Sequence, residues 1–486
     1  MGIKGLYPEL VAAKVTLTLK ELAVKEGFQR NHRNQRSLTL AVDANNMLDT
    51  VAAASQRRVH SVSAAESLFT LLSKFLHTPT AFIFVFDGPN RPRVKRGVQV
   101  KTRSSSLYRL AKVLISAFGF YSVEASGEAD CLLAALSCSG LVDGVISDDS
   151  DLLVLGVTRV LRKSCDEQSQ SELLFDVYTR EDIEEKLGLV PAALTFVALL
   201  RGTDYHDGVE GCGITMALKL ARCGFGEALM QGFEEYVEEP ERFAAFLKDW
   251  RSDVRSELLL NARGYLHRTQ PRVAGNITSA FPNLMVLEHF ADGKKTPIPE
   301  GCDSVKPQLP NIPNIVAFCR NQLMWTDKEI LKRFESHFWV GAILKMLYSP
   351  LVVYDSERSL FLERWFQTKL LKEWPKRTLR GTLECVHATF SLDSFIKAAD
   401  LSIPTTTPRP IKKTLYVPLP VLSVAKLPRG LSQEQVDAVA MGMPMGEDLP
   451  EPEEEESKND ASESDDVECL YTVKTTKAGG TVIEFF

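Results

Sequence analysis

At 486 residues the chain exceeds one ordinary domain, and 44% hydrophobic with 25% charged residues is the composition of a globular protein. Nine scattered cysteines without a C-x-x-C and eight scattered histidines argue against a zinc site or a disulfide scaffold, and no apolar run is long enough to cross a bilayer. The net charge of −6 conceals an uneven distribution, because residues 447–468 hold 12 Asp/Glu against one Lys and leave the remainder at +5, a balance that suits a polyanionic partner.

The opening MGIKGLYPEL lacks the apolar core of a signal peptide, and Leu6 occupies the Ser/Thr position of a myristoylation motif. LTLAVD (38–43) reads as a buried strand ending in a carboxylate. Ser63 and Glu66 predict a capping box before a helix to about His77, with Leu68, Leu71, Leu72 and Phe75 on one face. AFIFVF (81–86) is a second buried strand, again followed by a carboxylate, Asp87. A third strand runs towards residues 126–130, and a fourth, 144–147, runs into Asp148 and Asp149. Strands alternating with helices predict an α/β fold with a parallel central sheet flanked by helices.

Ligands gather at the carboxyl ends of such strands. Asp43, Asp87, Asp149 and Asp151 recur there without the Lys and Arg of a solvated rim. Glu128 and Asp130 open an Ala/Leu-rich helix nearby in sequence. Grouped carboxylates without His or Cys suit hard divalent cations such as Mg²⁺ or Mn²⁺. Residues 91–103 (RPRVKRGVQVKTR) carry six Lys/Arg and no acid. Beside an acid cluster that run gains a use, holding phosphates against the repulsion of the carboxylates.

Residues 190–200 read as a helix ending in Arg201-Gly202-Thr203-Asp204-Tyr205. A turn with Gly211 and Gly213 and a further helix follow, a pattern that offers backbone N–H groups to a phosphate without reading sequence. Residues 226–349 are mostly helical, and 415–424 (LYVPLPVLSV) predict a proline-limited edge strand. Residues 441–467 have the composition of a disordered acidic loop, in which Ser457 and Ser462 resemble acidophilic kinase sites. Residues 470–475 and 481–486 flank a glycine turn, so the acidic tract reads as an insertion into a small β module.

The blocks MGIKGL, AVDA, FVFDGP, GEAD, SDDSDLLVLG and GTDY, in that order over roughly the first 225 residues, resemble the flap endonuclease/XPG family of structure-selective nucleases. FVFDGPNRP is most similar to its Holliday-junction-resolving GEN/Yen branch. The resemblance implies a PIN-like 5′-nuclease core with a helix-hairpin-helix over residues 1–225, a helical continuation over 226–349, and a chromodomain-like β module over 350–486. It implies two Mg²⁺ ions, for which Mn²⁺ substitutes: Asp43, Asp87, Glu128 and Asp130 on one, Asp149, Asp151 and Asp204 on the other, with Asp130 reaching both. Lys95 and Lys101 become the candidates for touching the phosphate in the transition state. DNA would be held by Gly2, Arg91, Arg93, Lys95, Arg96, Lys101, Arg103, Gly211, Gly213, Thr215 and Lys219. The implied partners are branched DNA, four-way junctions and 5′ flaps, for a nuclear protein that is monomeric in solution and dimeric on the junction.

Forty-one residues separate Asp87 from Glu128, and residues 104–118 already read as a core helix. What remains is too short for the threading arch of a flap endonuclease, which a junction without free ends does not need. Gly208 stands where relatives place a Ser that helps bind K⁺, so a K⁺ site here would rest on carbonyls and water. Asp130 stands where relatives have Glu. Two rivals remain: a flap or excision-repair nuclease with the same chemistry, and an inactive scaffold, which the seven retained acids disfavour.

Overall fold

The protein is described from a computed structural model. It describes residues 2–29, 37–56, 63–91, 94–95, 98–99, 106–164, 173–303, 305–349, 352–363, 366–401, 412–426, 471–475 and 481–485.

Sixteen strands fall in chain order among the described residues: β1 Lys14–Thr18, β2 Leu38–Asp43, β3 Thr80–Phe86, β4 Val94–Lys95, β5 Val98–Gln99, β6 Tyr121–Glu124, β7 Gly144–Ile146, β8 Arg159–Lys163, β9 Leu174–Thr179, β10 Val353–Asp355, β11 Leu360–Glu363, β12 Phe366–Arg380, β13 Leu383–Ser391, β14 Lys412–Pro418, β15 Tyr471–Thr475 and β16 Thr481–Phe485. The central sheet has seven, in the order β1-β9-β8-β7-β2-β3-β6. β8-β7-β2-β3-β6 run parallel, as expected from sequence. β9 and β1 extend it antiparallel, so the sheet is mixed. That edge was not legible because β1 is half-exposed and carries no continuous apolar run.

Every residue of β2 and β3 is buried. Alternation sends Leu40, Val42, Phe82, Phe84 and Phe86 to one core and Ala41, Ala81, Ile83 and Val85 to the other. The second core includes Leu132, Phe196, Trp250 and Phe281 from the helical half. The first continues through the helix Trp339–Tyr348 into Phe361, Val386, Phe390 and Val417 of the five-stranded antiparallel sheet β10–β14. One apolar core thus crosses residue 349. Glu21 adds a polar tie, accepting from the Thr382 amide (2.7 Å) and hydroxyl (2.8 Å) at the β12–β13 turn. Burial alone would raise the Glu21 carboxyl, but the Thr18 and Thr382 donors outweigh it and hold it below its usual range.

Some local expectations are corrected. Ser63 accepts from the Glu66 amide as a helix cap, but the Glu66 carboxylate pairs with Arg333 at 2.5 Å instead of completing a box. Residues 415–424 are strand only as far as Pro418; Leu419–Ala425 is a helix with proline in its first turn, where a missing N–H costs nothing. β14 is an edge strand, and β15 and β16 pair antiparallel as the glycine turn predicts. The tract 441–467, with Ser457 and Ser462, lies outside the described residues.

Lys345 is fully enclosed on the helix Trp339–Tyr348, its Nζ 4.5 Å from the Phe120 ring centre, and it has no hydrogen-bond partner among the described residues. Burial pushes its ammonium down to about 7. The unfolded chain binds more protons there between about pH 7 and 10, so this group makes stability rise with pH across that window. Lys345→Met should raise the thermal midpoint at neutral pH and flatten that rise, measurable by thermal unfolding from pH 6 to 10.

Candidate active site

The parallel order brings the carboxyl ends of β2, β3 and β7 to one edge, and their acids follow directly. Asp43, the last residue of β2, accepts from the Asn46 amide (3.0 Å) through Oδ1 and from the Ser147 hydroxyl (3.0 Å) through Oδ2. Ser147 Oγ in turn accepts from the Asp149 amide (3.1 Å), and Asp149 Oδ1 accepts from the Asp151 amide (3.0 Å). A continuous hydrogen-bonded chain therefore runs from β2 through the loop after β7.

Asp87, one residue beyond β3, accepts from the Ala129 amide at the start of the helix Ala129–Cys138 (3.0 Å). The Gly88 amide to Gly127 carbonyl bond (2.7 Å) and the Asn90 amide to Ser126 carbonyl bond (3.1 Å) fasten the two loops. Glu128 caps that helix and Asp130 lies in its first turn, where the helix dipole favours anions. The Tyr205 hydroxyl donates to Glu128 Oε2. Asp204 precedes Tyr205 on the loop between the helices Pro191–Arg201 and Ile214–Ala221.

The amino-terminal segment closes the site from another side. Gly2 takes a left-handed φ of +73°, and a Cβ there would stand 2.4 Å from Asp149 Oδ1, 2.5 Å from Ser150 Oγ and 2.7 Å from Asp151 Oδ1. The Ile3 amide donates to Ser150 Oγ (2.8 Å) and the Tyr7 hydroxyl to the Asp149 carbonyl (3.1 Å). Arg162 stacks on Tyr7 at 4.7 Å and pairs with Asp148 at 3.6 Å.

Asp43, Glu128, Asp149 and Asp151 are 6%, 9%, 6% and 5% exposed, so water does little to screen them. Burial first, then the charges of Asp87 and Asp149, push the Asp43 carboxyl up to about 6 against the opposing bonds from Asn46 and Ser147. Burial, then Glu128, Asp130 and Asp151, push the Tyr205 phenol well above its ordinary range. Asp87 and Asp149 thus lie within electrostatic reach of Asp43, and Glu128, Asp130 and Asp151 within reach of Tyr205. Among the described residues no three of them stand as a ready-made ligand trio. The donor set nonetheless fits hard cations: it is all oxygen, anionic and largely buried, and burial, with the repulsion of Asp87 and Asp149, pushes the Asp43 carboxyl up to about 6, a penalty that a divalent ion relieves.

The predicted basic residues fare differently. Arg91 pairs with Asp87 at 3.1 Å, because a guanidinium four residues on from a half-buried carboxylate is its nearest counterion. Arg93, Arg96, Lys101 and Arg103 lie outside the described residues, and for Lys95 only the backbone, in β4, is described. Gly211 has φ +84°, as a tight turn requires, and Gly213 caps the next helix. The Thr215 hydroxyl donates to Glu9 (3.2 Å), and Lys219 lies in the last turn of that helix. A Cβ on Gly208 would approach the Gly202 amide and the Leu200 carbonyl to 2.5 Å, which explains why no Ser stands there. Sequence reasoning missed Tyr205, Ser147, Ser150, Tyr7 and Arg162. Tyr205 and Ser147 lie within quoted motifs, but nothing in their spacing signals which carboxylate they hold.

Residues 119–204 match the family model described as the XPG I-region. Mouse flap endonuclease GEN homolog 1 is 28% identical over 261 residues, covering 49% of this chain and 27% of that protein. Arabidopsis thaliana flap endonuclease GEN-like 1 is 35% identical over 139 residues, covering 28% of this chain and 23% of that one. The chain therefore spans about a quarter of the length of these curated relatives. The solved structure of the Holliday junction-resolving enzyme GEN1 with product DNA, Mg²⁺ and Mn²⁺ shares the fold at TM-score 0.68 and 24% identity, over 87% of this chain and 96% of that one. Over these stretches the chain is similar to XPG/flap endonuclease proteins. Both of these relatives are named as GEN-type flap endonucleases.

Proposed function

We propose that the protein is a divalent-cation-dependent, structure-selective DNA endonuclease that resolves four-way junctions by paired symmetric nicks and also cuts 5′ flaps. The observation that carries this is the buried chain Asp43–Ser147–Asp149–Asp151 at the carboxyl edge of the sheet, with Asp87 within electrostatic reach of Asp43 and with Glu128, Asp130 and Asp151 around Tyr205. Asp43, Asp87, Glu128, Asp130, Asp149, Asp151 and Asp204 would hold two Mg²⁺ ions, or Mn²⁺ in their place. Bound there, the cations would supply an activated water and stabilise the leaving oxygen. The chain's own part is to orient these carboxylates, exclude bulk water through Gly2, Ile3 and Tyr7, and offer cations to the phosphate from residues 91–103, with Lys95 and Lys101 our candidates.

The preference for a junction is supported by the short path over the site, where the described residues after Asp87 form the small hairpin β4–β5 in place of a helical arch. The helices Pro191–Arg201 and Ile214–Ala221 and their glycine turn would serve as a helix-hairpin-helix on duplex backbone, with Gly211, Gly213, Thr215 and Lys219 nearest the phosphates. A K⁺ ion there would rest on backbone carbonyls. Residues 350–486 would act as a chromodomain-like module. On β12, β13 and β14, Trp374, His387 and Tyr416 stack at 4.6 Å spacings, with Lys372 and Arg380 against the rings, a second basic and aromatic surface suited to DNA. We place the protein in the nucleus, as a monomer that pairs on the junction.

The test is a Mg²⁺-dependent cleavage panel. An intact four-way junction should receive symmetric paired nicks, a 5′ flap a single cut, and linear duplex none. Binding measured in Ca²⁺ should weaken steeply with salt, as phosphate contacts require. Flap cleavage without junction cleavage would favour the excision-nuclease rival. No cleavage of any substrate would leave the scaffold.

A further inference from the structure

Three segments distant in the chain meet at Glu128. Glu128 begins the helix Ala129–Cys138, Tyr205 lies on the loop before Ile214–Ala221, and His289 lies on the helix Leu284–Asp292. The Tyr205 hydroxyl donates to Glu128 Oε2, and its ring lies against the His289 imidazole, centres 4.8 Å apart and planes at 51°. His289 has its own support. It contacts Phe290 edge-on at 5.2 Å, and Phe290 is buried in the helical core. The turn beyond is pressed onto the helix that Glu128 caps: a Cβ on Gly293 would stand 2.7 Å from Leu155 and 3.2 Å from the Cys131 sulfur.

We infer that Tyr205, braced by His289, is a positioning residue that fixes the Glu128 carboxylate within the acid cluster and so sets the cluster's affinity for divalent cations. The inference rests on the metal-binding reading above. A glutamate has three side-chain torsions to freeze before it can serve as a ligand, and a rigid phenol seated on a core-anchored imidazole does this in advance of the ion. Partners one step removed from the ion characteristically contribute about 10- to 100-fold to its affinity. Nothing in the sequence links residues 128, 205 and 289; only the packing does.

The experiment is Mn²⁺ titration of the full chain, followed by the spin-resonance signal of free Mn²⁺. Tyr205→Phe removes one hydroxyl and keeps the ring, and it should weaken Mn²⁺ binding about tenfold or more without changing the number of ions bound. His289→Ala should shift the curve in the same direction by less. Cleavage by Tyr205→Phe should recover towards wild type as the metal concentration is raised, which a merely structural defect would not do. Tyr265→Phe, at an exposed tyrosine, should leave binding unchanged. A Tyr205→Phe curve that superimposes on the wild-type curve overturns the inference. Should Tyr205→Phe lose its thermal transition, His289→Ala decides, and wild-type binding by it overturns the inference equally. Mn²⁺ binding absent from the wild type itself would instead overturn the metal reading, a separate failure.

Discussion

Asp43→Asn is expected to lose cleavage by on the order of 10³-fold while making the metal-free protein more stable. Both effects come from one burial. Asp43 is buried and faces Asp87 and Asp149, so its folded-state carboxyl rises from 3.8 to about 6. The folded state binds more protons than the unfolded chain between those values, and stability falls as pH rises through that window. At neutral pH the penalty is on the order of 2–3 kcal/mol, since each pH unit of displacement corresponds to about 1.4 kcal/mol. An amide retains the acceptor for the Asn46 amide and removes the charge. Thermal unfolding in chelator should therefore show the Asp43→Asn variant melting higher than wild type above pH 6 and converging with it near pH 4. A nicking assay on the same preparations should show activity gone. Increased stability with lost function is the signature of a charge kept for its chemistry.

Gly2→Ala should reduce cleavage by about 100-fold while lowering the melting temperature by only a few degrees, the scale of the first set by displacing reacting groups by about an ångström. The cause is steric. A methyl there meets three oxygens of Asp149, Ser150 and Asp151 at 2.4–2.7 Å. These belong to a loop tied by the Ser147 and Asp151 bonds, so the acids would be pushed off position. The φ of +73° adds a backbone cost of about 1–2 kcal/mol for any side chain. Gly264→Ala separates the two contributions, because Gly264 has φ +74° and nothing within 4 Å of its Cβ. That control should share the small loss of stability and keep full cleavage.

Much of the central sheet was legible because β2 and β3 are buried on both faces and so read as unbroken apolar runs, each leading into its acid. Placement of those acids followed from a general property of parallel strands. β1 was not legible because it is half-exposed, and β9, though its middle four residues are buried, carries Asp176 among its apolar residues. The helix Leu419–Ala425 was hidden by apolar residues and prolines that suit either a strand or a helix start. At the site, the acids could be read from their motifs, but what holds them could not. Ser147, Tyr205 and Arg91 make contacts that only folding creates, among them the Arg91–Asp87 ion pair. The joining of β11–β14 to the first core was equally invisible, because Phe361 and Val386 carry no mark of which sheet they will face.

Anomalous diffraction from crystals soaked in Mn²⁺ addresses the carboxylate cluster directly. Two peaks enclosed by Asp43, Asp87, Glu128, Asp130, Asp149, Asp151 and Asp204, and lost in Asp149→Asn crystals, are the predicted result. Mn²⁺ bound elsewhere on the chain, or no ordered ion near Asp43 and Asp149 at saturating concentration, would contradict it.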